Sequence, residues 1–269
     1  MTTIWWIRRD LRLTDNAALH SALQSGSVLP VFILDPAFDS SSARRKNFLH
    51  EGLHALDKDL RARNSYLITR NGHPLEVLRR LIAETGVTQI FAEEDFTPYA
   101  RQRDAEIARE LPLQLIHGQT VHHPEFVKKA DGKPYTVYTP YSKVWKSLLA
   151  EIHLLPAPSH IPTPAGIRTE PLPPFTVSPG FPAGEAEALR RLDQFTSSPI
   201  YEYTDLRNRM DLDGTSSLSP YFRFGMISLP QAVRATFDVK RLTSNVKGAE
   251  TWLNELIWRE FYIQILYHF

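Results

Sequence analysis

The chain contains no cysteine among its 269 residues, so disulfides and thiolate metal sites are excluded. It also has almost no net charge, because 31 Lys and Arg face 30 Asp and Glu. A neutral balance neither requires nor forbids nucleic acid, since a groove can be locally basic on a neutral protein. Long apolar runs are missing, and nothing reaches the span of a membrane helix. The opening MTTIWWIRRD lacks the basic-then-apolar order of a signal peptide. A cytoplasmic protein without a membrane partner fits these absences. No G-x-G-x-x-G follows the first strand-like run; RRDLRLTDN stands there instead, so the usual dinucleotide loop is not expected. Internal repeats and low-complexity tracts are absent too.

The composition that remains, 42% apolar and 23% charged, is that of a globular domain. TIWWI, VLPVFILD, SYLITR, VTQIFAE and LQLIHG read as buried strands. Between them lie helical patterns, among them SARRKNFLHEGLHALDKDLRARN and HPLEVLRRLIAETG. Continuous apolar strands alternating with helices predict an α/β fold with a doubly wound, Rossmann-like parallel sheet over residues 1–130. Ligands of such sheets bind beyond the carboxyl ends of the strands. Nine of the twenty prolines fall between Pro156 and Pro182, which excludes regular helix and central strand there. Residues 131–190 are therefore expected to form an interdomain connection, Pro-rich from about 156, and 191–269 the beginning of an all-helical domain.

The closing WLNELIWREFYIQILYHF has no Gly or Pro and no stop signal. At 3.6 residues per turn, Trp252, Glu255, Trp258, Arg259, Tyr262 and Leu266 share one face, and Leu253, Ile257, Phe261, Gln264 and Ile265 the other. Both faces are largely apolar, as in a buried helix. The expectation is that a covering partner lies outside this sequence. Glu255 and Arg259 have the spacing of a local ion pair. Among three aromatic rings they also suit a site where a flat ring stacks while charges address its polar edge.

DGTSSLSPYFRFG reads as a helix start with Pro220 in its first turn. Its hydroxyls serve as N-cap candidates or, with Thr215, Ser216, Ser217 and Ser219 together, as a phosphate seat. Tyr203 and Arg207 have the spacing of a solvated helix face, and the adjacent His122 and His123 read as structural, with no metal site expected. The run FVKKADGKPYTVYTPYSKVWK mixes lysine with aromatics; a hairpin followed by a helix is the expectation there.

WWIRRDLRLTDNAAL, YTVYTPYSKVW, GTSSLSPYFRFGMIS and WLNELIWREFY resemble, in this order, the motifs of the DNA photolyase and cryptochrome family. The last two are most similar to those of bacterial-type cyclobutane pyrimidine dimer photolyases. The resemblance implies a helical domain holding flavin adenine dinucleotide (FAD). It assigns Tyr203, Thr215, Ser216, Ser217, Leu218, Ser219, Trp252 and Arg259 to the flavin. It places Arg207, Glu255, Trp258, Arg259 and Tyr262 at damaged DNA, with Glu255 on the base edges of the dimer and Trp258 stacked on it. No catalytic residue is assigned. The implied reaction is light-driven electron transfer from reduced FAD to the dimer. An antenna pigment, methenyltetrahydrofolate or 8-hydroxy-deazaflavin, would sit in the α/β domain; EEDFTPYARQRD lacks the Asn-Glu pair that accompanies folate in some relatives, which leaves the pigment open. The resemblance further implies that this is the front portion of a longer monomeric protein, which alone retains little flavin and repairs nothing. A cryptochrome-type photoreceptor without repair activity is the alternative, and a nucleotide-binding module without enzymatic activity a third reading.

Overall fold

The computed structural model describes residues 1–38, 40–242 and 245–269. Five strands, β1 (Thr2–Ile7), β2 (Ser27–Leu34), β3 (Ile68–Asn71), β4 (Ile90–Glu93) and β5 (Leu113–Ile116), form one parallel sheet in the order β3-β2-β1-β4-β5. Helices α1 (Ala17–Gln24), α2 (Ala43–Arg61), α3 (Pro74–Thr85) and α4 (Pro98–Glu110) alternate with the strands. The expected doubly wound sheet is present, and its central strand β1 is buried from Thr3 to Ile7. Local signals set the helix ends. The Asn16 side chain accepts from Leu19 N at the start of α1. Pro74 and Pro98 open α3 and α4, and Gly86, left-handed at φ 67°, closes α3.

The proline-rich segment forms neither helix nor strand, as expected. It is not a free linker, however, because it straps the α/β unit. Val28 N donates to Pro162 O at 2.8 Å, Glu170 N to Thr69 O at 3.0 Å, and Thr69 N to Thr169 Oγ1 at 2.9 Å. The strap thereby covers β3, an edge strand that would otherwise offer unpaired backbone groups. The hairpin around Gly132 is present, with Lys129 N bonded to Lys133 O, and it leads into α5 (Tyr138–Ser147).

The remaining helices are α6 (Glu185–Ser197), α7 (Tyr203–Leu206), α8 (Ser219–Phe224), α9 (Leu229–Leu242) and α10 (Lys247–His268). The helical part thus starts at Glu185, inside the span expected to be connection. The larger of two apolar clusters runs from Trp5, Leu11 and Phe32 through α2 into Tyr221, Met226, Leu253 and Ile257, so both parts share one core. Among the described residues no helix is long and apolar enough to cross a membrane.

Candidate functional site

RRDLRLTDN joins the two parts. Buried Asp10 accepts from Trp5 Nε1 at 2.9 Å, Arg8 N at 2.8 Å and Asn16 Nδ2 at 3.2 Å, which fixes the loop after β1. The loop then meets the carbonyl end of α8. Leu11 N donates to Phe224 O at 3.2 Å, Arg9 Nε to Arg223 O at 3.1 Å, and Arg12 Nη1 to Gly225 O at 3.2 Å. From α10, Arg259 Nη2 donates to Phe222 O at 3.1 Å. Four consecutive carbonyls at the C-terminus of a helix, where intrahelical donors run out, are each met by a donor from outside the helix, three of them guanidinium. Gly225 permits the approach. Its φ is 64°, and a Cβ there would lie 1.7 Å from Arg9 O.

Arg259 therefore spends its guanidinium on the α8 terminus, with Phe222 beneath it at 5.6 Å. Burial and the neighbouring Arg9 and Arg223 push it down to about 10. It makes no ion pair with Glu255, although the spacing allowed one. Glu255 instead meets Arg207, the C-cap of α7, with Nη1 2.5 Å from Oε1. Arg207 also lies 5.9 Å from the Tyr203 ring. The structure thus brings Arg207, Glu255, Trp258 and Tyr262 together. Trp258 is half-buried, Tyr262 is 63% exposed and Leu266 is 43% exposed. These side chains form the open face of α10, whereas Leu253, Ile257, Phe261 and Gln264 face the core. The expectation of a helix buried all round holds for one face only.

Trp252 departs from its expected neighbours on the wheel. It is buried and packs on Phe195, ring centroids 4.9 Å apart. Tyr203 is buried against the same Phe195 ring at 5.6 Å, and Leu218 lies in the core. Of the residues implied for flavin, these three pack on the chain's own side chains. Thr215, Ser216, Ser217 and Ser219 precede or begin α8, but Leu218 is its N-cap and no hydroxyl caps it. The N-cap reading of this run is thereby corrected. Among the described residues these four hydroxyls have no hydrogen-bond partner, and Ser217 is left-handed at φ 52°.

Two features escaped the sequence reading. The first is Glu260, fully buried on the core face of α10. Its carboxylate accepts from Trp145 Nε1 at 2.5 Å and from the backbone N–H of Val121 and His122. Burial pushes it up to about 7 against the pull of those donors. The signal was present: a glutamate spaced three and seven residues from Ile257 and Leu253 lies among apolar positions. His122 and His123 serve this neighbourhood, His122 Nε2 with Trp145 O at 3.0 Å and His123 Nε2 with Glu94 at 3.1 Å, so their structural reading stands.

The second is a cavity of about 180 Å³ beyond the carboxyl ends of β1 and β2. Trp6, Phe32, Leu34, Leu49 and Phe224 line it, together with six cationic side chains, Arg8, Arg9, Arg45, Lys46, Arg103 and Arg223, and two anionic ones, Asp35 and Asp95. Burial and the nearby Arg9 and Arg45 push Arg223 down. Burial alone would raise Asp95, but Arg9 at 3.3 Å and the Thr97 N–H hold it below the usual carboxylate range. Apolar walls with excess positive charge suit a flat ligand carrying an anionic group. Only the general position, beyond the strand ends, was legible beforehand.

The family model for DNA photolyase matches residues 3–163. The chain is 34% identical to the deoxyribodipyrimidine photo-lyase of Thermus thermophilus over 267 residues, covering 98% of this chain and 60% of that protein. It is also 34% identical to an uncharacterized 31.6 kDa protein of Synechococcus, covering 96% of this chain and 98% of that one. The crystal structure of a class III photolyase from Agrobacterium tumefaciens superposes with a TM-score of 0.93 at 28% identity, covering all of this chain and 59% of the other. The chain belongs to the DNA photolyase family. It spans about 60% of the named photo-lyases it matches.

Proposed function

We propose that this chain takes part in the light-dependent repair of cyclobutane pyrimidine dimers in DNA, as a deoxyribodipyrimidine photo-lyase using FAD. The observation that carries the reading is the meeting of Arg207 and Glu255 at 2.5 Å beside Trp258 and Tyr262 on the open face of α10. A dimer stacks poorly in the duplex and is readily extruded. Glu255 would accept hydrogen bonds from its base edges, Trp258 would pack against its rings, Arg207 would neutralise a flanking phosphate, and Tyr262 would keep water from the contact. Reduced FAD, when bound and excited by blue or near-UV light, supplies the electron that splits the cyclobutane ring and recovers it afterwards.

Thr215, Ser216, Ser217 and Ser219, hydroxyls without partners among the described residues, suit the phosphates of FAD. Tyr203, Leu218 and Trp252 would stand behind the cofactor as packed supports, and Arg259 would hold α8 in place. The cavity beyond β1 and β2 suits the antenna pigment, a methenyltetrahydrofolate or an 8-hydroxy-deazaflavin.

Binding of a short oligonucleotide with one thymine dimer, measured by fluorescence anisotropy against its undamaged twin, tests this. The reading expects the dimer to bind more tightly and Glu255→Ala to remove the preference. Equal affinities would leave the light-sensing, non-repairing role of a cryptochrome as the better account.

A further inference from the structure

The segment YTVYTPYSKVW has no part in the roles assigned above, yet its Tyr138 lies flat on Trp258. The ring centroids are 3.7 Å apart and the planes differ by 5°. Tyr138 OH donates to Asn254 O at 2.9 Å, one turn before Trp258 on α10. The ring is thus held at its plane and at its tip.

The surroundings explain why it stays there. Tyr138 is the first residue of α5, which packs against α10. Tyr141 meets Phe261 at 5.2 Å, Trp145 donates to Glu260 at 2.5 Å, and Lys146 pairs with Glu250. Tyr141 and Trp145 are fully buried, so α5 cannot slide without breaking the core. Tyr262, one turn beyond Trp258, stacks more loosely, its centroid 5.6 Å away and its plane 25° from the indole's, and is largely exposed. The indole therefore has one face filled from within the protein.

We propose that Tyr138 is the positioning residue of the lesion-facing surface: by lying flat on Trp258 it fixes the indole plane, so that Trp258 and the exposed Tyr262 ring form a pre-set aromatic surface for a pyrimidine dimer. The inference rests on the repair reading above. An unsupported tryptophan on an open helix face samples several rotamers and loses that freedom on binding. A backed one has already lost it, so the stacking contact is realised in full.

Two measurements on the full chain test this. In the first, tryptophan is replaced by 5-fluorotryptophan and the Trp258 resonance is identified by its loss in Trp258→Phe. Tyr138→Ala should shift and narrow that resonance, while Tyr138→Phe, which keeps the ring, should leave it near its original place. An unchanged resonance in Tyr138→Ala overturns the positioning role whatever the DNA result. In the second, anisotropy compares the dimer-bearing and undamaged oligonucleotides. Tyr138→Ala should weaken dimer binding about tenfold, with the undamaged strand little affected. Trp258→Ala should weaken it at least as much, and the double variant no further than Trp258→Ala alone. Additive losses would show that Tyr138 acts independently of Trp258 and overturn the proposal. A wild-type chain that binds both strands alike would remove the lesion reading, and the positioning role with it.

Discussion

The cavity of the α/β part and the open face of α10 use similar residues, arginines and aromatic rings, in opposite ways. At the cavity, apolar side chains come from several sides: Trp6 from β1, Phe32 from β2, Leu49 from α2 and Phe224 from α8. Arg8 and Arg103 each place a guanidinium 4.7 Å from the Trp6 ring centroid. On α10, Trp258 has Tyr138 on one face and the half-exposed Arg207–Glu255 pair nearby. The first arrangement encloses a cavity; the second forms an open wall. The difference teaches that aromatic and charged composition marks a ligand region, while its shape depends on which other elements reach it.

The strongest way to break the comparison is to remove what holds α10 against the α/β part. Glu260→Ala leaves Trp145 Nε1 and the backbone donors of Val121 and His122 without their acceptor. The expected loss is about 3–5 kcal/mol, read as the denaturant midpoint at constant slope. Glu260→Gln, which keeps one acceptor, isolates the charge. The folded carboxyl, near 7, lies above its ordinary 4.5. Its contribution is therefore fully present at acidic pH and is lost as pH rises through the folded value. Relative to Glu260→Gln, the wild type should lose stability between about pH 4.5 and about pH 7.

Gly225→Ala attacks the same junction from the other side. The new Cβ meets Arg9 O, and the left-handed backbone is strained for alanine. A loss of about 3 kcal/mol is expected, together with weaker pigment retention, because Arg9, Arg223 and Phe224 line the cavity.

The next test sharpens the contrast. Leu49→Trp fills the cavity, so flavin mononucleotide retained after gel filtration should fall about tenfold if the cavity holds it. Ser216→Ala with Ser217→Ala should leave that retention unchanged, since both lie outside the cavity lining. The smallest effect is expected on the open face. Arg207→Gln should change stability by less than about 1 kcal/mol, because the pair it breaks is half-exposed. Its effect should appear instead in the salt dependence of DNA binding, whose slope should fall by about one.

The sheet was legible in the sequence because its strands are continuous apolar runs between helical patterns. The α10 face was legible as far as Glu255, Trp258 and Tyr262, which follow from helical spacing. Trp252 shares that spacing but sits near the start of α10, where α6 covers it through Phe195. Helical periodicity fixes direction around an axis, not what stands opposite at each height. Arg207 with Glu255, Tyr138 with Trp258 and Arg9 with the α8 terminus are long-range meetings, which no local pattern encodes. The proline-rich strap illustrates the same limit. Its lack of regular structure could be read directly, but its pairing with β3 could not.

The central claim is that α10 presents Trp258, Tyr262 and their neighbours to a lesion, while the cavity serves a different ligand. Hydroxyl-radical footprinting with mass spectrometry, run with and without an oligonucleotide carrying one thymine dimer, tests it most directly. Oxidation of Tyr262 and Trp258 should fall several-fold with the dimer and much less with the undamaged strand, while Phe38 at the cavity mouth stays unchanged. Unaltered oxidation of Tyr262 under saturating dimer, or protection confined to the cavity mouth, would contradict it.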